Sequence, residues 1–208
     1  MPKIFICKLS ISFLSRVSCS KIYQIDLILF IILFFKFTKS PPMTDNKDIA
    51  NIGTFFNGYA AEFSSIYLED ERPRSLFNKV MDRLFRKDIE TRLVDSLNHM
   101  KKDSIKTILD IGCGPGHLVV KLLEHQKDVT ALDIAPNMLE ITQMRVDSMN
   151  LKSNFKTILA DYSVHQFDEK FDAISVMGFF DYVEDPVSVL KKLISDVNKE
   201  IYISIPGD

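Results

Sequence analysis

Three glycines at alternate positions, Gly112, Gly114 and Gly116, follow the strand-forming residues Thr107, Ile108, Leu109 and Ile111 and lead into residues 118–123, which read as a helix. Glycine has no Cβ, so such a turn can take positive φ and lay its backbone against a bound molecule. The unpaired N–H groups at the start of the helix suit a carboxylate or a phosphate. Two acids flank the turn. Asp110 lies at the carboxyl end of the first strand, two residues before Gly112, and Asp133 ends a second apolar run, Val129 to Leu132. Asp133 is 21 residues beyond Gly112, close to the ~20 at which a carboxylate takes a ribose hydroxyl pair. A carboxylate accepts both hydroxyl hydrogens at once. The competing reading of Asp133 is a solvated loop acid.

A glycine-rich turn also occurs in dinucleotide-binding proteins and in plain structural turns, and the spacing separates these. A dinucleotide fingerprint has the form G-x-G-x-x-G. Here His117 stands at the third glycine position, and Gly116 comes one residue earlier. Asp110 would repel a pyrophosphate and favours a cationic ligand. S-adenosylmethionine (SAM) has a sulfonium, an ammonium and a carboxylate for the helix start. On these residues ILDIGCGPGHL resembles the first motif of the class I SAM-dependent methyltransferases. With SAM in the crevice, Ile134 and Met138 are candidates to pack on its adenine, Met138 being equally a helix-core residue.

The resemblance extends further along the chain. The segment FDAISVMGFFDYVEDPVSVLKKL, from Phe171, is similar to the fourth motif of that family, including the acid and proline before a helix. It implies that Met177 and Gly178 lie beside the methionine portion of SAM and that residues 179–184 face the methyl acceptor. Asp161, at the end of a third strand, is implied to bind the adenine amino group, with Tyr162 touching the ring. Tyr59, in the aromatic-rich segment 49–67, is implied to belong to a lid over the cofactor. A general base is needed only if the acceptor must lose a proton. Asp181, Tyr182 and Glu184 are the candidates, with Tyr182 standing where related sequences more often carry histidine.

These residues need a frame that brings them together. Apolar runs at 107–111, 129–133, 155–160, 171–177 and 201–205 alternate with helical patterns, which predicts an α/β, Rossmann-like, doubly wound parallel sheet. The resemblance implies five strands in the order 3-2-1-4-5, preceded by helices, with the last two strands of the family absent. Every candidate ligand then falls at the carboxyl ends of strands. The outer edge of the fifth strand is left bare or covered from elsewhere. Residues 73–100 carry apolar positions at helical spacing and read as an amphipathic packing helix without chemistry of its own.

The 208 residues, 46% hydrophobic and 26% charged, suffice for one domain with a sizeable core plus an extension. Three parts are expected: an N-terminal segment 1–42, a helical lid 43–102 and the SAM-binding domain 103–208. The first part carries six bases against one acid, whereas the remainder holds 27 acids and 20 bases. It reads as an anchor, a targeting peptide or an extension ahead of a start at Met43. Its apolar stretch 22–37 is sixteen residues long, shorter than the roughly 20 a spanning helix needs. A cytoplasmic protein is therefore expected, with membrane anchoring through 22–37 as the alternative. The net charge of −2 and the lack of a basic stripe give no reason to expect a nucleic-acid partner, and no metal site is expected. The odd count of three cysteines argues against a disulfide framework, and Cys113 is read as a small loop filler. The expected function is methyl transfer from SAM to a small-molecule acceptor. The alternatives are a SAM-binding regulatory or scaffold protein without catalysis and, third, a nicotinamide oxidoreductase.

Overall fold

A computed structural model describes residues 5–10, 54, 90–151 and 154–205. Its framework is one six-stranded sheet. The strands are β1 (Phe5–Ser10), β2 (Thr107–Ile111), β3 (Asp128–Asp133), β4 (Phe155–Leu159), β5 (Phe171–Met177) and β6 (Val197–Ile205). Their order across the sheet is β1-β6-β5-β2-β3-β4. Strands β2 to β6 pair in parallel, so read outward from β4 they give the expected order 3-2-1-4-5. Helix α1 covers residues 90–100 within the described part, and α2 (His117–Glu124), α3 (Pro136–Ser148) and α4 (Pro186–Asp196) join successive strands.

Local sequence sets these elements. The central strands β2 and β5 are almost wholly buried, as strands with helices on both faces must be, which is why they read as apolar runs rather than alternating ones. Alternate residues still go to opposite cores. Leu109, Ile111, Ile174 and Val176 join the cluster under α4, while Ile108, Val129, Ala131 and Ala173 join the one under α1 and α2. Helix α4 begins at Pro186, and Asp185 caps it by accepting from the Val187 and Ser188 N–H groups, each at 3.1 Å. That pairing satisfies two otherwise orphaned donors. Helix α2 stops at Glu124, and Gln126 takes a left-handed φ of 58° that turns the chain into β3.

One strand boundary differs from the sequence reading, and of its two alternatives for the outer edge the structure has the covered one. Strand β6 begins at Val197, four residues ahead of the expected 201, because buried Val197 pairs with Phe171 directly after α4. The outer edge of β6 is covered, and the cover comes from the N-terminal segment. Residues 5–10 run antiparallel to β6 in continuous register from Phe5 opposite Ile205 to Ser10 opposite Glu200. The apolar stretch 22–37 lies outside the described residues; among those described, no helix is long and apolar enough to cross a membrane.

The order of strands reverses between β2 and β5. From β2 the chain moves to β3 and β4 on one side and returns to β5 and β6 on the other, so a crevice opens at the carboxyl ends where the two directions part. In open α/β sheets that is where ligands bind.

Candidate functional site

The turn after β2 is held through its own main-chain atoms, by main-chain and side-chain partners alike. The Gly112 and Cys113 N–H groups donate to Leu132 O at 2.8 and 3.2 Å, fastening the turn to the end of β3. Gly112, Gly114 and Gly116 all take left-handed φ, of 64°, 52° and 75°. At Gly116 the need is doubled, since a Cβ there would lie 2.5 Å from the Thr142 side chain. Thr142 in turn donates from Oγ1 to Gly114 O at 2.8 Å. Gly116 thus serves to seat α2 against α3 rather than to face the crevice. At Gly114 and Gly178 a Cβ would meet nothing within 4 Å, so main chain borders open space at both.

Asp133 ties the turn to the second strand. Its Oδ2 accepts from the Gly114 N–H and its Oδ1 from the Ala135 N–H, both at 2.9 Å. Each carboxylate oxygen keeps a second acceptor site after these bonds, so a diol can still be taken. Burial raises the Asp133 carboxyl above its ordinary pKa, and the main-chain donors act against that shift. Asp110 is 2% exposed and is pushed up to about 7, first by burial and then by the charge of Asp133, with the neighbouring Ser175 offsetting part of the rise. Both acids at adjacent strand ends are desolvated, but only Asp133 is also held by main-chain donors. Both favour a cationic ligand, which would supply the missing counter-charge.

A cavity of about 550 Å³ opens here. Of the sequence-predicted residues, Asp110, Gly112, Gly114, Asp133, Ile134, Met138, Asp161, Tyr162 and Met177 line it, as do Tyr182 and Glu184. Tyr59 lies outside the described residues. Asp181 sits in the short 3-10 turn Phe180–Tyr182, and its side chain is outside the description. Tyr162 is only 1% exposed and its hydroxyl is committed away from the cavity, donating to Asp196 Oδ2 at 3.0 Å. Lys192 holds the same oxygen at 2.6 Å and lies 4.6 Å from the Tyr162 ring centre. Burial and the Asp196 charge keep that phenol protonated. What Tyr162 offers the cavity is therefore its position beside Asp161, not its hydroxyl. Cys113 is half-buried, with Sγ 3.6 Å from Gly114 O; burial and the two nearby acids push its thiol up, so it stays protonated.

The sequence reading gave no role to Arg92 or His117, both of which line the cavity. Arg92, on α1, lines the cavity, and its Nε is buried without a hydrogen-bond partner. The signal available was a cation on the otherwise apolar face of a helix assigned to packing. His117 lines the same end, with Arg145 Nη1 at 2.9 and 3.1 Å from its two ring nitrogens. A single nitrogen nearly equidistant from both lies over the ring face. Burial and Arg145 lower His117 to about 3, so it is neutral. Phe179 shields the turn; a Cβ on Gly112 would rest 3.5 Å from its ring.

The residues present fit SAM. An orphaned buried guanidinium atom and the start of α2 await a carboxylate, a desolvated acid awaits an ammonium, and Asp133 retains capacity for a diol. Among the described residues no group of three or more His, Cys, Asp or Glu side chains could hold a metal ion.

Comparison with known proteins agrees with this geometry. Residues 108–199 match the profile of the methyltransferase domain family. A ubiquinone biosynthesis O-methyltransferase of Hydrogenovibrio crunogenus is 33% identical over 85 residues, covering 41% of this chain and 35% of that protein. Its counterpart in Chromobacterium violaceum is 25% identical over 130 residues, covering 59% and 56%. The chain thus spans about a third to a half of the length of these curated relatives. Among solved structures, magnesium protoporphyrin IX methyltransferase of Synechocystis with bound SAM superposes with a TM-score of 0.62 at 16% identity, over 77% of this chain and 76% of that one. At that identity the likeness is one of fold.

Proposed function

Starting from the match of residues 108–199 to the methyltransferase domain family, we propose that this chain is a class I SAM-dependent methyltransferase that transfers the methyl group of SAM to a small-molecule acceptor. The observation that carries the reading is the Asp133 carboxylate, bound to the Gly114 N–H of the glycine turn and still able to take a ribose. Asp133 would receive both ribose hydroxyls, and Ile134 and Met138 would flank the adenine beside Asp161 and Tyr162. At the other end, Arg92 would meet the carboxylate, Asp110 the ammonium, and Met177 and Gly178 would border the methionine chain. When bound, SAM supplies a methyl group already activated on a sulfonium.

What remains for the protein is alignment and exclusion of water. Phe179, Tyr182, Val183 and Val189 give the acceptor side of the cavity an apolar wall, which favours an acceptor with a substantial apolar body. Tyr182 and Glu184 border this side and, with Asp181, are the candidate bases for an acceptor hydroxyl. Calorimetric titration with SAM, followed by turnover on a panel of phenols and carboxylic acids, tests the reading. Methylation of at least one acceptor is expected. Tight SAM binding with no methylation across the panel would turn the assignment toward a non-catalytic SAM-binding protein, and NADH binding without SAM binding would turn it toward an oxidoreductase.

A further inference from the structure

Three buried side-chain atoms among the described residues lack a hydrogen-bond partner: Arg92 Nε, Ser175 Oγ and Ser204 Oγ. Strand register brings them together. Ser175 of β5 lies beside Tyr202 of β6, and Ser204 is two residues beyond Tyr202 on the same face, beside Met177. The Tyr202 hydroxyl donates to Arg92 O at 3.3 Å. The three orphans therefore surround Tyr202 on the face of the sheet beneath α1, and Asp110 borders the group from β2, directly across from Ser175. A buried hydroxyl without a partner costs about 1–3 kcal/mol, so each calls for a reason.

The neighbours of the two serines differ. Ser204 faces a methionine, whereas Ser175 faces a carboxylate. Around Asp110 the titratable and charged groups are Asp133 on β3, Cys113 in the turn, Arg92 on α1, His117 on α2, Tyr202 on β6 and, farther along the cavity, Asp161. Asp133 is served by two main-chain donors. The side-chain donor directly across the strands from Asp110 is the Ser175 hydroxyl, unpartnered in the free protein, and a hydroxyl can rotate toward whichever acceptor gains charge.

We propose that Ser175 is a positioning residue for cofactor binding: as a cationic ligand reaches Asp110, the Ser175 hydroxyl donates to that carboxylate and holds it ionised against the ligand's ammonium group. The inference rests on the reading of the cavity as a SAM site. In the unliganded protein Asp110 holds a proton over part of the neutral range, and a cation beside it drives that proton off to solvent. Ligand affinity then rises with pH through the titration of the free carboxyl.

The test is calorimetric titration of the full chain with S-adenosylhomocysteine, which carries the same ammonium, at several values between about pH 5.5 and 8.5, spanning the Asp110 titration. Two buffers of different protonation enthalpy report the released proton. Ser175→Ala is expected to weaken binding about 5- to 10-fold near neutrality, the loss of one hydrogen bond to a charge, and to move the pH midpoint upward. Ser175→Thr, which keeps the hydroxyl, restores the midpoint. Ser204→Ala, equally buried and equally unpartnered, leaves the midpoint unmoved although it alters thermal stability. A wild-type midpoint in Ser175→Ala, or an equal displacement in Ser204→Ala, overturns the inference. If the wild-type protein binds no S-adenosylhomocysteine at any pH, the cofactor reading falls and takes this inference with it.

Discussion

The two walls of the cavity are made differently. On the side running from Ile111 to Met138, position is set by main chain: Leu132 O takes two N–H groups of the glycine turn, Gly114 N–H reaches Asp133, and Thr142 reaches Gly114 O. On the side running from Met177 to Val189, the short 3-10 turn Phe180–Tyr182 and its flanking residues present Phe179, Tyr182 and Glu184, and Tyr182 is 39% exposed. A wall of main chain tolerates few substitutions, because each residue also holds its neighbours. A wall of side chains can be exchanged residue by residue. The first therefore suits a ligand common to a whole family, and the second suits acceptors that vary from one member to the next.

Gly116→Val attacks the first wall most directly. It combines a left-handed φ, which costs a side chain about 1–2 kcal/mol, with overpacking against Thr142 of about 1–3 kcal/mol. Chemical denaturation should show that combined loss, and titration should show SAM affinity lowered by two orders of magnitude or more. Wild-type affinity in this variant would mean that the glycine turn is not what shapes the site.

Asp133→Ala removes a charged acceptor from both the turn and the ribose, and SAM binding should weaken by ~1–3 kcal/mol. An unchanged Kd would withdraw the ribose assignment. Asp110→Asn sharpens the contrast between the two acids. Folded Asp110 keeps its proton up to about pH 7, against 3.8 ordinarily. Between those values the folded state binds more protons than the unfolded state, so stability falls as pH rises. The amide removes that penalty, which is on the order of a few kcal/mol. Melting curves should show an advantage over wild type that grows from about pH 5 to pH 8, while SAM affinity drops for want of the ammonium partner. No growth of that advantage would mean that Asp110 titrates like a solvated acid.

On the second wall, Glu184→Gln and Tyr182→Phe should leave SAM affinity unchanged and lower kcat by about tenfold at most, since the methyl group arrives activated and a general base contributes only where the acceptor is a poor nucleophile. Loss of SAM binding in either variant would erase the distinction between the walls.

What could be read in advance followed the same division. The glycine turn, Asp110 and Asp133 are legible because their spacing along one strand-turn-helix-strand unit is dictated by backbone geometry. Residues 107–111 and 171–177 are legible as strands because burial on both faces leaves mostly apolar residues, with Asp110 and Ser175 the buried polar exceptions. Arg92 was hidden by its setting, since a cation on an amphipathic helix ordinarily points to solvent, and only the docking of α1 above Tyr202 turns it inward. The commitment of the Tyr162 hydroxyl to Asp196, 34 positions later, depends on where α4 lies over the sheet. Strand β6 starts early because Asn198, Lys199 and Glu200 look like a loop in sequence but continue the strand in space.

The pairing of Phe5 with Ile205 also bears on how the protein is made. Residues 5–10 are synthesised ahead of the rest of the sheet, and their partners emerge some 190 residues later, so this edge cannot close until synthesis has passed β6. At translation speeds of about 5–20 residues per second, the segment waits on the order of ten seconds or longer with its backbone unsatisfied. The sheet is thus completed by a segment made long before its partner, and a pause in translation before residue 197 would prolong the interval in which that segment can be captured by chaperones.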